Sequence, residues 1–370
     1  MEIVPYTPAH REAVQNLNAR LAEAGSEWRF PPRERPAAAE KLAVWTESFV
    51  AVDGDVVCGG YILKHQTFFL EGRPVDVGSL QLPLSLGEID SAYANVSVAL
   101  LFDAIRRSPY LYSLGLGSEE TQFARLLSAA RWEHVTVPFY FSVKSGNAFA
   151  RNIRLPAHMA RMQSALRALG TVRLAGAALG LRAGVRSRSA PRSTRPDAVA
   201  RTPELQDFDA VADELFARVM TSYVLIADRS ASALREVYPE TEPRYLRLAV
   251  ASGERPLGWV LALDTTMRDD KYFGDMRVGS IADCLAAPDD ALPVVAAADE
   301  FLARRGVDIV VSNQLHARWR EALEAMGYER GPSNFFFYFS EELANKLAAT
   351  ADWERGTHLN RGDGEGPAHL

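Results

Sequence analysis

The chain has 370 residues, 48% of them hydrophobic and 24% charged, which fits about two globular domains with full cores and excludes a disordered or fibrous chain. Its two cysteines, Cys58 and Cys284, are far apart with no C-x-x-C spacing, so a disulfide framework is excluded and a reducing cytoplasm fits. The formal net charge of -6 hides an asymmetry: from Lys144 to Arg201 one lysine and eleven arginines face a single acid, a local +11 that leaves -17 for the remainder.

In chain order, Ile3 to Tyr6 reads as a strand, and Thr7-Pro8 opens a helix on which Ala13, Val14, Leu17 and Leu21 recur at helical spacing before Gly25. Trp28 to Pro36 is a proline- and arginine-bearing loop, and Lys41 to Trp45 a short helical piece. Strands at Ser48 to Val52 and Val56 to Leu63 flank the turn Asp53-Gly54-Asp55; a second turn at Glu71-Gly72-Arg73 leads into Val75 to Leu84. Ala94 to Arg106 is an amphipathic helix, Tyr110 to Leu114 a strand, Glu119 to Ala130 a helix and Val135 to Val143 a closing strand.

The order then restarts. Pro203 to Met220 reads as helix, Leu246 to Leu263 as a hairpin around Ser252-Gly253-Glu254, Val278 to Leu285 as a strand and Asp289 to Arg304 as a helix. Asp308 to Ser312 is a strand, Ala317 to Met326 a helix, and Phe335 to Ser340 an aromatic strand that answers Phe139 to Ser142. This duplication predicts a mixed α/β fold with residues 1–143 as one domain, 144–202 as a basic helical arm and linker, 203–343 as a second domain and 344–370 as a partly disordered tail.

The repeated order resembles the GNAT acyltransferase superfamily, more closely its tandem two-domain members. The most specific stretch is Ile281-Ala282-Asp283-Cys284-Leu285-Ala286-Ala287-Pro288, similar to that family's central strand, followed by Asn313 through Gly327-Tyr328, similar to its fourth helix and closing Gly-aromatic pair. The first half carries Arg131-Trp132 where the family has Gly-Phe.

The resemblance implies acyl transfer from acetyl-CoA or another acyl-coenzyme A to an amine, with the thioester arm on a splayed central strand and the pyrophosphate at the next helix N-terminus. Amide donors and the positive helix end stabilise phosphate there, and small residues let the backbone approach. In the second half that loop is Pro288-Asp289-Asp290-Ala291, whose carboxylates oppose a pyrophosphate. In the first half it is Gly87 to Asn95, so the implied donor residues are Leu82 and Leu84 on the strand and Ser91, Ala92, Ala94 and Asn95 in the loop, although Glu88 and Asp90 add negative charge and the family's glycine signature is missing. Asp283 aligns with the family's carboxylate base. The family's acid tyrosine falls on Leu127 and Leu323, leaving Tyr140 and Tyr338 as substitutes.

Other chemistries find little footing. The seven histidines form no pair at metal-ligand spacing, so no metal is expected, and no nucleophile elbow, Walker loop or dinucleotide fingerprint is present. Met159, Met162, Leu166 and Leu169 share a helical face within the basic stretch, and Arg173 and Arg182 interrupt its apolar run, so no span is expected. Residues 151–188 therefore read either as an arm on an anionic membrane surface or as a connector docked on the protein. Nucleic acid is the weaker partner, because no aromatic residue lies between Ala150 and Thr202 to stack on bases. The functional expectation is a cytoplasmic N-acyltransferase acting on a small amine. The alternatives are a GNAT-fold scaffold without activity and a tandem aminoacyl transferase that uses charged transfer RNA.

Overall fold

The structure is a computed structural model that describes residues 1–116, 119–154 and 204–364. The basic arm expected over 144–202 lies, beyond Arg154, outside the described residues. Two compact units emerge, and neither is a contiguous half of the chain: one holds Met1–Thr136, Val224–Asp228 and Asn334–Trp353, the other Val137–Tyr223, Arg229–Ser333 and the chain from Glu354.

The first unit begins with β1 (Glu2–Pro5) and α1 (Arg11–Glu23), whose Val14, Leu17 and Leu21 are buried at the spacing the sequence shows. Three long antiparallel strands follow: β2 (Val44–Asp53), β3 (Val56–Leu70) and β4 (Arg73–Ser85). Val44 and Trp45 therefore open a strand instead of a helix, because Trp45 pairs with His65 on β3. Then come α2 (Val96–Arg107), β5 (Leu111–Leu116), α3 (Gln122–Ala129) and β6 (Glu133–Thr136).

The second unit starts at β7 (Phe139–Val143) and α4 (Gly146–Asn152). Past the undescribed stretch it continues with β8 (Glu204–Leu205) and α5 (Ala210–Val219). Helix does not extend back from Ala210, because the Asp209 carboxylate caps it by accepting from Val211 N and Leu205 pairs with Arg247. The chain then passes through β9 (Leu225–Ala227), a strand of the first unit that pairs with β3, after which α6 (Ala231–Val237) of the second unit leads to β10 (Leu246–Ser252), β11 (Arg255–Thr266) and β12 (Arg277–Ala286). The block closes with α7 (Ala291–Arg304), β13 (Ile309–Asn313), α8 (Ala317–Ala325) and β14 (Glu329–Gly331).

The aromatic strand β15 (Phe335–Phe339) does not return to the second sheet. It inserts between β5 and β6, so the first sheet runs β1-β2-β3-β4-β5-β15-β6. Conversely, β7 inserts between β13 and β14, and the second sheet runs β14-β7-β13-β12-β11-β10-β8. The single closing strand expected over Val135 to Val143 is thus two strands in two sheets, divided at Val137-Pro138, where proline lacks the N–H that a continuous ladder needs. Each closing strand completes the other half's sheet.

The expected tail is also ordered where described. Helix α9 (Glu341–Ala348) buries Leu343 and Leu347; α10 (Trp353–Gly356) and β16 (Thr357–His358) follow, and Thr357 to Asn360 are fully buried.

Phe337 is buried against Tyr112 on β5, with ring centroids 5.7 Å apart. Phe337→Ala should cost about 3–5 kcal/mol in a urea titration. Hydrogen exchange should then show protection lost on β5 of the first unit, with β13 of the second retaining its own.

Candidate functional site

Both sheets have the same defect at their centre. Strand β4 runs parallel to β5 and pairs with it only at Gly78↔Leu111 and Ser79↔Tyr112; among the described residues no ladder pair joins the two strands beyond Ser79. In the second sheet β12 pairs with β13 from Val278↔Ile309 to Ile281↔Ser312 and then parts from it. The vertex of each splay falls on the same short sequence: Val77-Gly78-Ser79-Leu80 recurs as Val278-Gly279-Ser280-Ile281. Gly78 is needed for packing, since a Cβ there would lie 2.8 Å from a Leu111 methyl and 2.9 Å from a Leu63 methyl. This tetrapeptide was the strongest sequence signal of duplication at the site, and the order of elements alone does not reveal it.

Each central strand also bulges just past its vertex. Gly60 pairs with Leu84 and Ile62 with Gln81, so Leu82 and Pro83 together oppose Tyr61, and Leu82 takes φ +43. In the second sheet Leu261 pairs with Asp283 and Ala262 with Ile281, which leaves Ala282 as the extra residue. A bulge interrupts the regular ladder and re-aims backbone groups, and here it does so beside the opening.

In the first unit the expected donor residues lie on β4 and in the turn that enters α2. Leu82 is partly exposed at the bulge, whereas the Leu84 side chain belongs to the core. Ser91, Ala92, Ala94 and Asn95 are all exposed in the turn that enters α2. Several N–H groups of that turn are spent internally: Ala92 N donates to Asp90 Oδ1, Tyr93 N to Asp90 O and Ala94 N to Ser91 O. The donors that an α-helix leaves over therefore come from the first turn of α2 itself. Asp90 is offset by Arg20, whose guanidinium lies 3.4 Å away. Gly87 brings the two turns together, since a Cβ there would sit 2.6 Å from Tyr93 O.

In the second unit the splay is filled by the chain's own C-terminal segment. Leu315 N donates to Leu359 O at 3.0 Å, Gln314 bridges to Asn360, and the His358 ring lies 2.8 Å from Cys284 O through Nε2. Asp283, expected as a base, is fully buried within this arrangement. Its Oδ1 accepts from Asn360 Nδ2 at 2.7 Å and from Cys284 N at 2.8 Å; its Oδ2 accepts from Tyr238 Oη at 2.6 Å and lies 3.0 Å from Arg229 Nε. Arg229 continues to Asp363 at 2.6 Å. Burial raises the Asp283 carboxyl, Arg229 pulls it back, and Asp363 raises it again. Burial also opposes the Arg229 charge, but Asp283 and Asp363 outweigh it and hold the guanidinium protonated. The geometry gives Asp283 a structural post: every side-chain oxygen is already engaged, and a base needs a free one.

The proposed substitute acids part company. Tyr140 lies in the second sheet and donates to Glu324 at 2.8 Å; burial, then that carboxylate, pushes its pKa up to about 12. Tyr338 lies in the first sheet opposite Ser113 on β5, stacked on His134 with centroids 4.6 Å apart, and burial raises its pKa. Leu127 and Leu323 are core residues. A shallow cavity of about 500 Å³, lined in part by His65, Asp76, Arg107, Tyr110 and Lys346, lies at the opposite end of β4 from the splay. Its charges are largely spoken for, with His65 3.0 Å from Glu47 and Arg107 2.7 Å from Asp103.

The overall fold also occurs in solved structures. The fold is that of the GCN5-related N-acetyltransferases. A GCN5-related N-acetyltransferase from Anabaena variabilis superposes with a TM-score of 0.51 at 10% identity, covering 91% of this chain and 72% of its own. A probable N-acyltransferase from Enterococcus faecalis, a conserved protein of unknown function, gives 0.51 at 10% identity over 94% of this chain and 74% of its own. A tandem GNAT protein from the clavulanic acid biosynthesis pathway overlaps at 0.47 and 13% identity, over 92% of this chain and 98% of its own. No protein-family model matches the sequence, and no curated protein matches it. Among the described residues no helix is long and apolar enough to cross a membrane.

Two buried histidines tie this arrangement to pH. Burial depresses His316 to about 3 and His358 to about 4, well below the ordinary value of 6.5. The unfolded chain therefore binds more protons than the folded one below pH 6.5, and stability present above that pH is lost as pH falls through each folded value. Chemical denaturation of the second unit should lose on the order of 1 kcal/mol per pH unit per histidine between pH 6 and 4. His358→Gln should flatten that slope by about half.

Proposed function

We propose that the first unit binds an acyl-coenzyme A along the β4 edge and transfers the acyl group to a small amine, while the second unit keeps the fold without a donor of its own. The observation that carries this is the asymmetry of the two splays. Beyond Ser79 the β4 edge has no ladder partner among the described residues, whereas in the second splay the C-terminal segment reaches β12 with the His358 ring on Cys284 O and the chain past β13 with Leu359 O on Leu315 N. An unpaired strand edge next to a bulge offers backbone groups to an amide-bearing ligand, and the pantetheine arm of coenzyme A has two amides. The first turn of α2, at Asn95 and beyond, faces the phosphates in this reading, with Ala94 small enough for close approach.

The protein's contribution is positioning and electrostatics: an N–H donor on the thioester oxygen stabilises charge that develops as the amine attacks, and a dry groove keeps water from the thioester. A carboxylate base is not part of it. Leu82 stands in the first unit near the register of Asp283, so the amine must arrive unprotonated or lose its proton to solvent. That leucine, together with Leu127 in place of the family's acid tyrosine, is the observation favouring a second reading: a protein that binds acyl-coenzyme A without turning it over.

Titration with acetyl-coenzyme A and longer acyl-coenzyme A species, followed by calorimetry and thermal melting, tests the donor site. Saturable binding should stabilise the protein by about 2.7 kcal/mol at a hundredfold excess over Kd. Ala94→Glu, which sets a carboxylate at the phosphate end, should weaken binding at least tenfold while leaving the melting curve of the free protein unchanged. Absence of any shift at millimolar ligand rules out the donor site. Release of free thiol with an amine panel then separates an enzyme from a binder.

A further inference from the structure

The C-terminal segment lies where a ligand of the second splay would lie, and it is bonded as one. We infer that Thr357 to Asp363 is a resident ligand of the second unit, a peptide stand-in for a pantetheine arm that closes a latent second site.

Four observations support this. The segment is extended at Thr357–His358, turns at Arg361–Asp363, and bonds to both walls of the opening: Leu359 O accepts from Leu315 N just past the end of β13, and the His358 ring engages Cys284 O on β12. These are a donor and an acceptor on opposite walls; the segment meets the donor with a backbone carbonyl and the acceptor with an imidazole nitrogen, and a linear ligand that carries an amide supplies both a carbonyl and an N–H. Thr357, His358, Leu359 and Asn360 are buried completely, although the composition around them is that of a surface tail. Asn360 is a hinge of the arrangement: its side chain donates to Asp283 Oδ1, its Oδ1 accepts from Gly362 N at 3.0 Å, and its own N donates to Asp363 Oδ2 at 2.9 Å. Gly362 then passes so close that a Cβ would stand 2.1 Å from Tyr238 Oη and 2.9 Å from Asp283 Oδ2. The fit is that of a side-chain-free backbone threaded past a buried ion pair.

The chemistry also says which ligand the opening takes once vacated. Asp289 and Asp290 begin the turn into α7, and although Arg318 and Arg255 pair with them at 2.7 and 2.6 Å, they set acceptors where a pyrophosphate needs donors, so the bare arm fits better than the full coenzyme. The latent site is one for pantetheine or a similar linear amide, closed by the chain itself.

The test uses two variants, each compared with the intact protein. Gly362→Val keeps the full length and expels the segment by collision; a chain ending at Gly356 removes it. Pantetheine binding is counted by saturation-transfer NMR and equilibrium dialysis, and exchange of the Leu315 amide is followed by mass spectrometry. Both variants should bind one more equivalent of pantetheine than the intact protein and lose protection at Leu315. A synthetic peptide spanning Thr357 to Leu370, added to the shortened chain, should restore that protection and displace the extra equivalent. The count is a difference, so it stands whether the first unit binds none or one. Unchanged stoichiometry in a variant with native circular dichroism overturns the inference. So does failure of the peptide to displace the extra equivalent. If neither variant folds, the intact protein decides: saturating pantetheine should speed exchange at Leu315 by displacing the segment, and protection that persists undiminished overturns the inference.

Discussion

A strand edge inside a folded protein cannot leave its N–H and C=O groups without partners, and both sheets of this chain break their ladder in the middle. In each, the central strand pairs briefly with a parallel neighbour and then leaves it, at a glycine-serine vertex that repeats in the two halves. Everything distinctive about the protein follows from how each half answers that break. The second recruits its own C-terminus and surrounds the joint with a buried network. The first does not, and there the strand edge, the bulge at Leu82 and the entrance to α2 stay grouped around the opening.

The second unit's answer is demanding because it places charge in the interior. Arg229 sits between Asp283 and Asp363, with Tyr238 and Asn360 supplying the remaining hydrogen bonds. Such a network stabilises only when complete; removing one partner of a buried pair typically costs about 3–5 kcal/mol because the other is stranded. This explains why residues so far apart in sequence as Arg229, Asp283 and Asn360 meet with little slack. It also accounts for Asp283, which reads from the sequence as a base and here anchors the buried network.

Much of the fold was legible in the sequence, for identifiable reasons. The turns at Asp53-Gly54 and Ser252-Gly253 announce hairpins because their glycines must take positive φ, and both do, at +60 and +61. The buried face of α1 follows from its spacing. Partners distant along the chain were not legible. Phe335 to Phe339 reads as a buried strand, but nothing local says that its neighbours are β5 and β6; only Pro138, splitting what reads as one strand, hints that the first half's closing strand does not stay in its own sheet. The segment from Thr357 misleads for the opposite reason. Asn360, Arg361, Gly362 and Asp363 have the composition of a solvated tail, and what buries them is a carboxylate and an arginine more than seventy residues away.

The two halves therefore share an order of elements and differ most at one position and its surroundings. Both keep the valine-glycine-serine vertex, because glycine there lets the neighbouring core approach: Leu302 and Val307 in the second half, Leu63 and Leu111 in the first. Past the vertex the first half places Leu82 and Pro83, apolar residues that neither hold charge nor call for a buried partner, and the opening needs no resident chain to neutralise it. The second half places Asp283, and a carboxylate buried at that depth demands donors that only a peptide folded onto it supplies. Once that peptide is in place, a ligand must compete with an intramolecular segment whose effective concentration is on the millimolar scale. The difference between the two splays thus comes down to whether the strand beyond the vertex carries a charge the protein must itself satisfy.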